Sequence, residues 1–177
     1  MELIPKSNLN SKSHIINPEL QVIEIYGPII VILISAFDLY KKDTYLFFYI
    51  IGIGFNTILN LFLKSVIRQP RPSLNNINFG FTNSIDKYGM PSGHAQNLGF
   101  SIGFMYIFIK KSYILWVVII ISLITMFQRY VNNKHSIIQL FIGYIFGILI
   151  GFLFYKLGSH YIKGNLSLKK DDCAFIF

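Results

Sequence analysis

The sequence has little charge and almost no cysteine. Charged residues make up 14 % of its 177 residues, against about 25 % in ordinary soluble domains. Hydrophobic residues make up 53 %, and they come in blocks of about 20 residues, the length that crosses a bilayer. The composition therefore predicts one integral membrane domain. The single cysteine, Cys173, excludes a disulfide within the chain.

Acidic residues are the scarcer charged class, with 8 Asp and Glu against 16 Lys and Arg and a formal net charge of +8. The excess cations suit either cytoplasmic helix ends on anionic headgroups or a phosphate-binding site. Nucleic acid is not expected as a partner, because no basic stretch lies outside the apolar blocks. No carboxylate cluster or Cys/His grouping suggests a metal site, so neither a metal nor another cofactor is predicted.

Five apolar blocks predict an all-α bundle of about five transmembrane helices. The blocks lie at about 22–40, 45–66, 92–109, 113–127 and 136–155. The first is marginal, since Glu24 and Asp38 lie near its ends and Pro28 inside it. The domain organisation expected from this pattern is a polar N-terminal segment without a cleavable signal peptide, a membrane-embedded domain and a polar tail, at residues 1–20, 21–158 and 159–177.

Five spans would place the polar stretches 64–93 and 128–135 on the same side of the membrane. The short links 41–43 and 110–111 would lie on the other side. Short Lys-rich links are typical of the cytoplasmic side. The two polar stretches are therefore expected to be extracytoplasmic, facing the lumen if the membrane is that of the endoplasmic reticulum in a eukaryotic or virus-infected cell.

Small residues recur at every fourth position on two of the blocks, at Ala95, Gly99 and Gly103 and again at Gly143, Gly147 and Gly151. This spacing lets helix backbones approach closely. If the two faces meet, His94 and His135 come together at the same membrane surface. The alternative is ordinary small-residue packing against other helices.

The stretch "KSVIRQPRP" places Lys64 near the end of the second block and Arg71 seven residues later, between two prolines that stiffen the chain. Asn56, Asn60 and Lys64 share one helix face. Each feature alone has an ordinary explanation, because lysines at helix ends extend to headgroups and asparagines bond across helices.

The stretch "KYGMPSGHAQ" contains a turn at the start of the third block. Pro91 orders the turn, Ser92 is a candidate N-cap, and Gly93 lets the backbone approach an anion. A helix N-terminus suits a phosphate, and His94 beside it is able to transfer a proton near neutral pH. The alternative is a helix cap with an interfacial histidine.

The stretch "RYVNNKHSIIQ" places Arg129 and His135 around a short loop, with Gln139 one turn beyond His135. A nucleophilic histidine needs one ring nitrogen free and the other held by an acceptor, which the Gln139 amide oxygen can supply. Taken together, the three stretches collect cations, two histidines and a helix N-terminus on one side, which predicts a phosphate site without a metal.

In order and spacing, the three stretches resemble the motifs of the type 2 phosphatidic acid phosphatase superfamily, Lys-x6-Arg-Pro, Pro-Ser-Gly-His and Ser-Arg-x5-His-x3-Asp. The resemblance covers about residues 22 to 155. "NTILNLFLKSVIRQPRP" and "KYGMPSGHAQ" look most like dolichyl diphosphatases, which also carry Gln at the position of Gln139. Gly93 stands where those enzymes usually have a second Ser, and Gln128 replaces the Ser before Arg129. Superfamily members usually have six spans, whereas five are predicted here, and the resemblance implies that the missing span is one before the first motif.

The resemblance implies a vanadium-haloperoxidase-like phosphatase core and a role for each matching residue. His135 would attack phosphorus and carry a phosphohistidine, with Gln139 holding its ring, and His94 would protonate the leaving oxygen. The phosphate oxygens would be held by Lys64, Arg71, Ser92, Gly93 and Arg129.

The function implied is hydrolysis of a polyprenyl, dolichyl-type diphosphate to the monophosphate and inorganic phosphate, a reaction connected with protein glycosylation. The expected partners are the lipid phosphate substrate and membrane lipids. Two alternatives stay open: a phosphatase or phosphotransferase acting on phosphatidic acid or another lipid monophosphate, and a non-catalytic protein that binds or transports lipid phosphates.

Overall fold

A computed structural model describes residues 18–72, 87–108 and 113–164, and in these residues the chain forms five α-helices. The helices are α1 (Pro18–Asp38), α2 (Asp43–Ile67), α3 (Gly93–Phe108), α4 (Tyr113–Val131) and α5 (Ile137–Gly164). The all-α fold class is confirmed. Most of the predicted polar segment and tail lies outside the described residues, but α5 continues six residues beyond the predicted domain boundary at 158.

Local sequence explains where the helices end around the polar loops. Helix α2 ends at Arg68, whose φ of 51° is left-handed and whose N–H donates to the Lys64 carbonyl at 3.0 Å, a common C-terminal arrangement. Pro70 then follows, without a backbone N–H to continue the helix. Helix α3 begins directly after Ser92, whose Oγ accepts from the Ala95 N–H at 3.5 Å. The predicted N-cap is therefore present.

Helices α3 and α5 pack directly on each other through the small residues that the sequence singled out. A Cβ atom on Gly147 would overlap the Gln96 carbonyl oxygen, and one on Gly103 would overlap that of Ile148. A Cβ atom on Gly143 would lie 2.6 Å from the backbone carbonyl oxygen of Ser92. The predicted pairing is confirmed, and glycine is required because backbone meets backbone.

Helix α1 packs on α4 in an antiparallel direction. Gly27 faces Thr125, and a Cβ atom on Gly27 would overlap the threonine hydroxyl. The Thr125 hydroxyl lies 3.3 Å from the Ile23 carbonyl oxygen and 2.8 Å from that of Ile121. The N-terminal part of α1 is thereby held beside the C-terminal part of α4, at the end of the bundle that carries the polar loops.

Among the described residues, three helices are long and apolar enough to cross a membrane, namely α2, α4 and most of α5. Large apolar side chains cover the outside of the bundle, with Phe37, Trp116 and Phe141 exposed by 80, 67 and 63 %. Such a surface suits a lipid environment. Helix α3 has 16 described residues, fewer than a bilayer requires, so crossing by α1 and α3 stays a prediction.

Gly147→Ala tests the close approach of α3 and α5. Because the methyl group would meet backbone that cannot rotate away, we expect the helices to separate and the protein to lose roughly 1–3 kcal/mol of stability. Gly54→Ala is the matched control, since nothing lies within 4 Å of a Cβ atom there. Thermal unfolding in detergent measures both, and equal unfolding temperatures for Gly147→Ala and the parent would contradict the packing.

Candidate active site

Three loop segments meet at one end of the bundle and are joined by backbone hydrogen bonds. After α2, Pro70 forms an isolated antiparallel bridge with Tyr88, and the Gly89 N–H donates to the Gln69 carbonyl at 2.8 Å. The Ser92 N–H donates to the Gln139 carbonyl in the first turn of α5 at 3.1 Å. The three motifs of the sequence therefore form one site.

The orientation of the Gln139 side chain follows from its partners. Its Nε2 lies 2.9 Å from the Pro70 carbonyl oxygen, which only accepts, and its Oε1 lies 3.2 Å from the Ser136 N–H, which only donates. The Oε1 atom is also 3.3 Å from Nδ1 of His135. Because Oε1 cannot donate, Nδ1 must carry the proton. The free lone pair of the ring is therefore on Nε2.

The same glutamine starts helix α5. The Gln139 N–H donates to Ser136 Oγ at 3.3 Å, while the Gln139 side chain accepts from the Ser136 N–H. This reciprocal pair is a capping box, encoded by the sequence Ser-Ile-Ile-Gln. A Cβ atom on Gly89 would lie 2.5 Å from Gln139 Oε1, so the turn before α3 needs glycine to pass over the amide.

His135 is 2 % exposed and lies among cations. Burial, and then the positive charges of Arg129, Arg71 and Lys64, hold the pKa of His135 well below its ordinary value. These surroundings therefore favour the neutral ring at physiological pH, the protonation state that a nitrogen nucleophile requires.

The three predicted phosphate-binding cations lie close to both histidines. Arg129, Lys64 and Arg71 interact electrostatically with the ring of His94 as well as with that of His135. Lys64 and Arg129 are buried. Positive charges held in a region of low dielectric attract an anion far more strongly than they would in water, so this arrangement favours the binding of an anion.

A side chain of α2 holds the turn before α3. The Asn60 side-chain amide donates to the Pro91 carbonyl at 3.2 Å and to Gln96 Oε1 at 2.7 Å. A Cβ atom on Gly93 would lie 3.1 Å from Asn60 Oδ1, so glycine allows the turn to pack closely against this asparagine. His94, which is half-buried, follows in the first turn of α3.

A buried polar network continues from Asn60 along the interface of α2 and α3. Gln96 Nε2 donates to Asn56 Oδ1 at 2.9 Å, and Asn56 Nδ2 donates to Asn97 Oδ1 at 2.8 Å. The predicted polar face of Asn56, Asn60 and Lys64 is buried as a whole. Its asparagines bond to the helix that carries His94, and the network thereby sets the position of that helix relative to Lys64.

One charged residue of the site was not predicted. Glu24 of α1 is 3 % exposed, and its Oε1 lies 3.3 Å from Nη1 of Arg129. The signal for it in the sequence is a carboxylate within the first apolar block, which also makes that block a marginal span. As for metal ligands, no group of three or more His, Cys, Asp or Glu side chains comes together within residues 18–72, 87–108 and 113–164.

Comparison with known proteins agrees with this architecture. Residues 45–162 match the model of the PAP2 superfamily. The chain is 30 % identical over 114 residues to the dolichyldiphosphatase of Saccharomyces cerevisiae, an alignment covering 56 % of this chain and 46 % of the yeast protein. Its fold is similar to that of a transmembrane PAP2-type phosphatidylglycerolphosphate phosphatase from Bacillus subtilis, with a TM-score of 0.58, 17 % identity, and coverage of 86 % of this chain and 79 % of that one.

The fold is thus that of a transmembrane helical phosphatase, with its polar loops gathered at one end of the bundle. The chain belongs to the PAP2 superfamily, as its motifs indicated. It spans less than half the length of the yeast relative. The matched region begins after α1, so Glu24 lies outside it.

The lowered pKa of His135 gives a testable pH dependence. As the pH falls through about 6.5, where an ordinary histidine gains its proton, His135 should remain neutral in the ligand-free protein. Vanadate, a tetrahedral oxyanion, should raise its pKa, because the bound negative charge offsets the cations. Nitrogen-15 NMR of the histidine side chains, assigned with His135→Ala, measures this. Titration of His135 near pH 6.5 without vanadate would contradict the electrostatics.

Proposed function

We propose that the protein is a metal-independent lipid phosphatase that hydrolyses a polyprenyl diphosphate through a phosphohistidine on His135. The observation that carries the proposal is the contact between His135 Nδ1 and Gln139 Oε1 at 3.3 Å. That contact leaves Nε2 with a free lone pair inside a group of buried cations. Superfamily membership supports the same class of activity.

In the first step, the Nε2 lone pair of His135 forms a bond to phosphorus while the bond from phosphorus to the leaving oxygen breaks. His94, whose protonated form is stabilised by the negative charge of the bound phosphate, donates its proton to that oxygen, so the lipid monophosphate leaves. As the ring of His135 becomes an imidazolium, the Gln139 oxygen keeps accepting from Nδ1. Lys64, Arg71 and Arg129 offset the charge on the phosphoryl oxygens, as do the N–H groups at the start of α3.

In the second step, water attacks the phosphohistidine. His94, now neutral, takes a proton from the water, the N–P bond breaks, and its electron pair returns to His135 Nε2. Inorganic phosphate leaves, and both histidines are restored to their starting states. The proposed steps require no metal, because the cations and the helix N-terminus perform the charge neutralisation that Mg²⁺ supplies in other phosphoryl-transfer sites.

The choice of substrate rests on the motifs around Lys64 and Pro91 and on the yeast relative, which is a dolichyldiphosphatase. We propose a multi-pass protein of the endoplasmic reticulum membrane, with the site on the lumenal side and a role in supplying lipid carrier for protein glycosylation. In this proposal the phosphate headgroup binds among the cations at the end of the bundle, while the exposed apolar side chains face the lipid tails.

Phosphate release by the purified protein tests the proposal. We expect turnover of a prenyl diphosphate in excess EDTA, and loss of turnover in His135→Ala. His160→Ala, at the opposite end of α5, is the matched control and should behave like the parent. Phosphatidic acid in parallel tests the monophosphate alternative. Vanadate binding without turnover would indicate a binding or transport protein, and loss in EDTA with restoration by Mg²⁺ would contradict metal independence.

Gln139→Ala tests how the nucleophile is oriented. Because the ring loses the acceptor that fixes its tautomer, we expect kcat to fall by about 10- to 100-fold, with vanadate affinity near that of the parent. Gln128→Ala is the matched control, since the buried Gln128 amide makes no hydrogen bond within the described part of the chain. Parent-like kcat in Gln139→Ala would show that Gln139 only packs.

A further inference from the structure

Among the described residues, the carboxylate of Glu24 is held by groups at and just beyond the end of α4. Besides Arg129 Nη1 at 3.3 Å, the Asn132 side-chain amide donates to its second oxygen, and Lys134 Nζ lies 4.0 Å away. An ionised carboxylate is costly to bury unless such partners surround it. All three partners lie in the segment that leads into His135, so α1 is bonded directly to the loop that carries the nucleophile.

This contact determines how Arg129 presents its remaining donors. The guanidinium is planar and rigid, so fixing Nη1 on Glu24 fixes the directions of the other N–H groups. Its Nε is buried and has no hydrogen-bond partner among the described residues. A buried donor without a partner is costly, and a phosphate oxygen is an acceptor that would satisfy it.

The charge of Glu24 also offsets repulsion among the cations of the site. Arg129 lies close enough to Arg71 for the two positive charges to repel each other, and Glu24 is the group whose charge opposes that effect. Without the carboxylate, less negative charge would oppose the repulsion among the buried cations. Glu24 therefore helps to keep Arg129 in place before substrate arrives.

A second contact ties α1 to the opposite wall of the site. The backbone of Ile25 lies close enough to the His94 side chain to accept a hydrogen bond from its ring. Helix α1 thus touches both an expected phosphate-binding arginine and the expected acid, although it lies outside the matched family region.

We infer that Glu24 is a positioning residue that holds the Arg129 guanidinium in the orientation required to bind the substrate phosphate, which makes α1 a part of the active site. The inference rests on the proposed function, since the ligand of Arg129 is taken to be the phosphate of a lipid.

A double-mutant cycle with orthovanadate as the probe tests this inference. Glu24→Gln should weaken vanadate binding and raise KM by about tenfold in the parent, and by less than about threefold in an Arg129→Ala background, because the interaction it supports is already absent. Equal losses in both backgrounds would overturn the inference, since they would show that Glu24 acts independently of Arg129.

Two control variants separate positioning from charge and packing. Asp38→Asn removes a carboxylate from the other end of α1, and Thr125→Val removes the side-chain contact to Ile23 between the same two helices. Both should bind vanadate like the parent. If Thr125→Val weakens binding as much as Glu24→Gln does, the effect comes from helix packing and the inference is wrong.

Should Glu24→Gln fail to fold, Glu24→Asp provides the second test, because it keeps the charge but withdraws it from Arg129. It should weaken vanadate binding, and parent-like binding would contradict positioning. If the parent binds vanadate but hydrolyses no lipid phosphate, the proposed function is refuted. The vanadate double-mutant cycle would still test whether Glu24 positions Arg129. A parent that neither binds vanadate nor hydrolyses a lipid phosphate would overturn both the proposed function and the role of Glu24.

Discussion

The site depends on the side-chain amide of one residue, Gln139. Its nitrogen faces the Pro70 carbonyl, and its oxygen faces the Ser136 N–H and the His135 ring. One amide thereby starts helix α5, holds the loop after α2 and selects the ring nitrogen that is free to react. A carboxylate could hold the ring, but it would place an oxygen against the Pro70 carbonyl. The surrounding backbone therefore explains why an amide is found here.

Around this amide the site concentrates positive charge at the end of an apolar bundle. Lys64 and Arg129 are buried, and Glu24 is the carboxylate that faces Arg129. Burial makes each charge expensive without an opposite partner and makes its attraction for an anion strong. The neutral state of the His135 ring and the affinity expected for phosphate follow from this same charge distribution.

Sequence motifs predicted a large part of this arrangement, because each motif carries its own local geometry. Ser92 caps α3, Gln139 contacts the ring of His135 one turn away, and the glycine spacing brings α3 against α5. These features depend on residues a few positions apart, or on a periodicity that is visible along one helix.

The parts that could not be predicted depend on contacts between distant segments. Glu24 and Arg129 are 105 residues apart, and no local pattern shows that α1 lies beside the end of α4. The bridge between Pro70 and Tyr88 likewise joins segments across a long polar stretch. Helix α5 likewise runs to Gly164, beyond the apolar block at 136–155, because polar residues such as His160 continue the helix after the apolar pattern has ended.

The central claim is that His135 is the nucleophile, and trapping the intermediate tests it most directly. A prenyl diphosphate labelled in its terminal phosphate would be mixed with the protein and quenched in base, where phosphohistidine survives. The account predicts label on His135, lost in acid and absent from His135→Ala. Turnover without labelled protein at any quench time, or label on another residue, would contradict it.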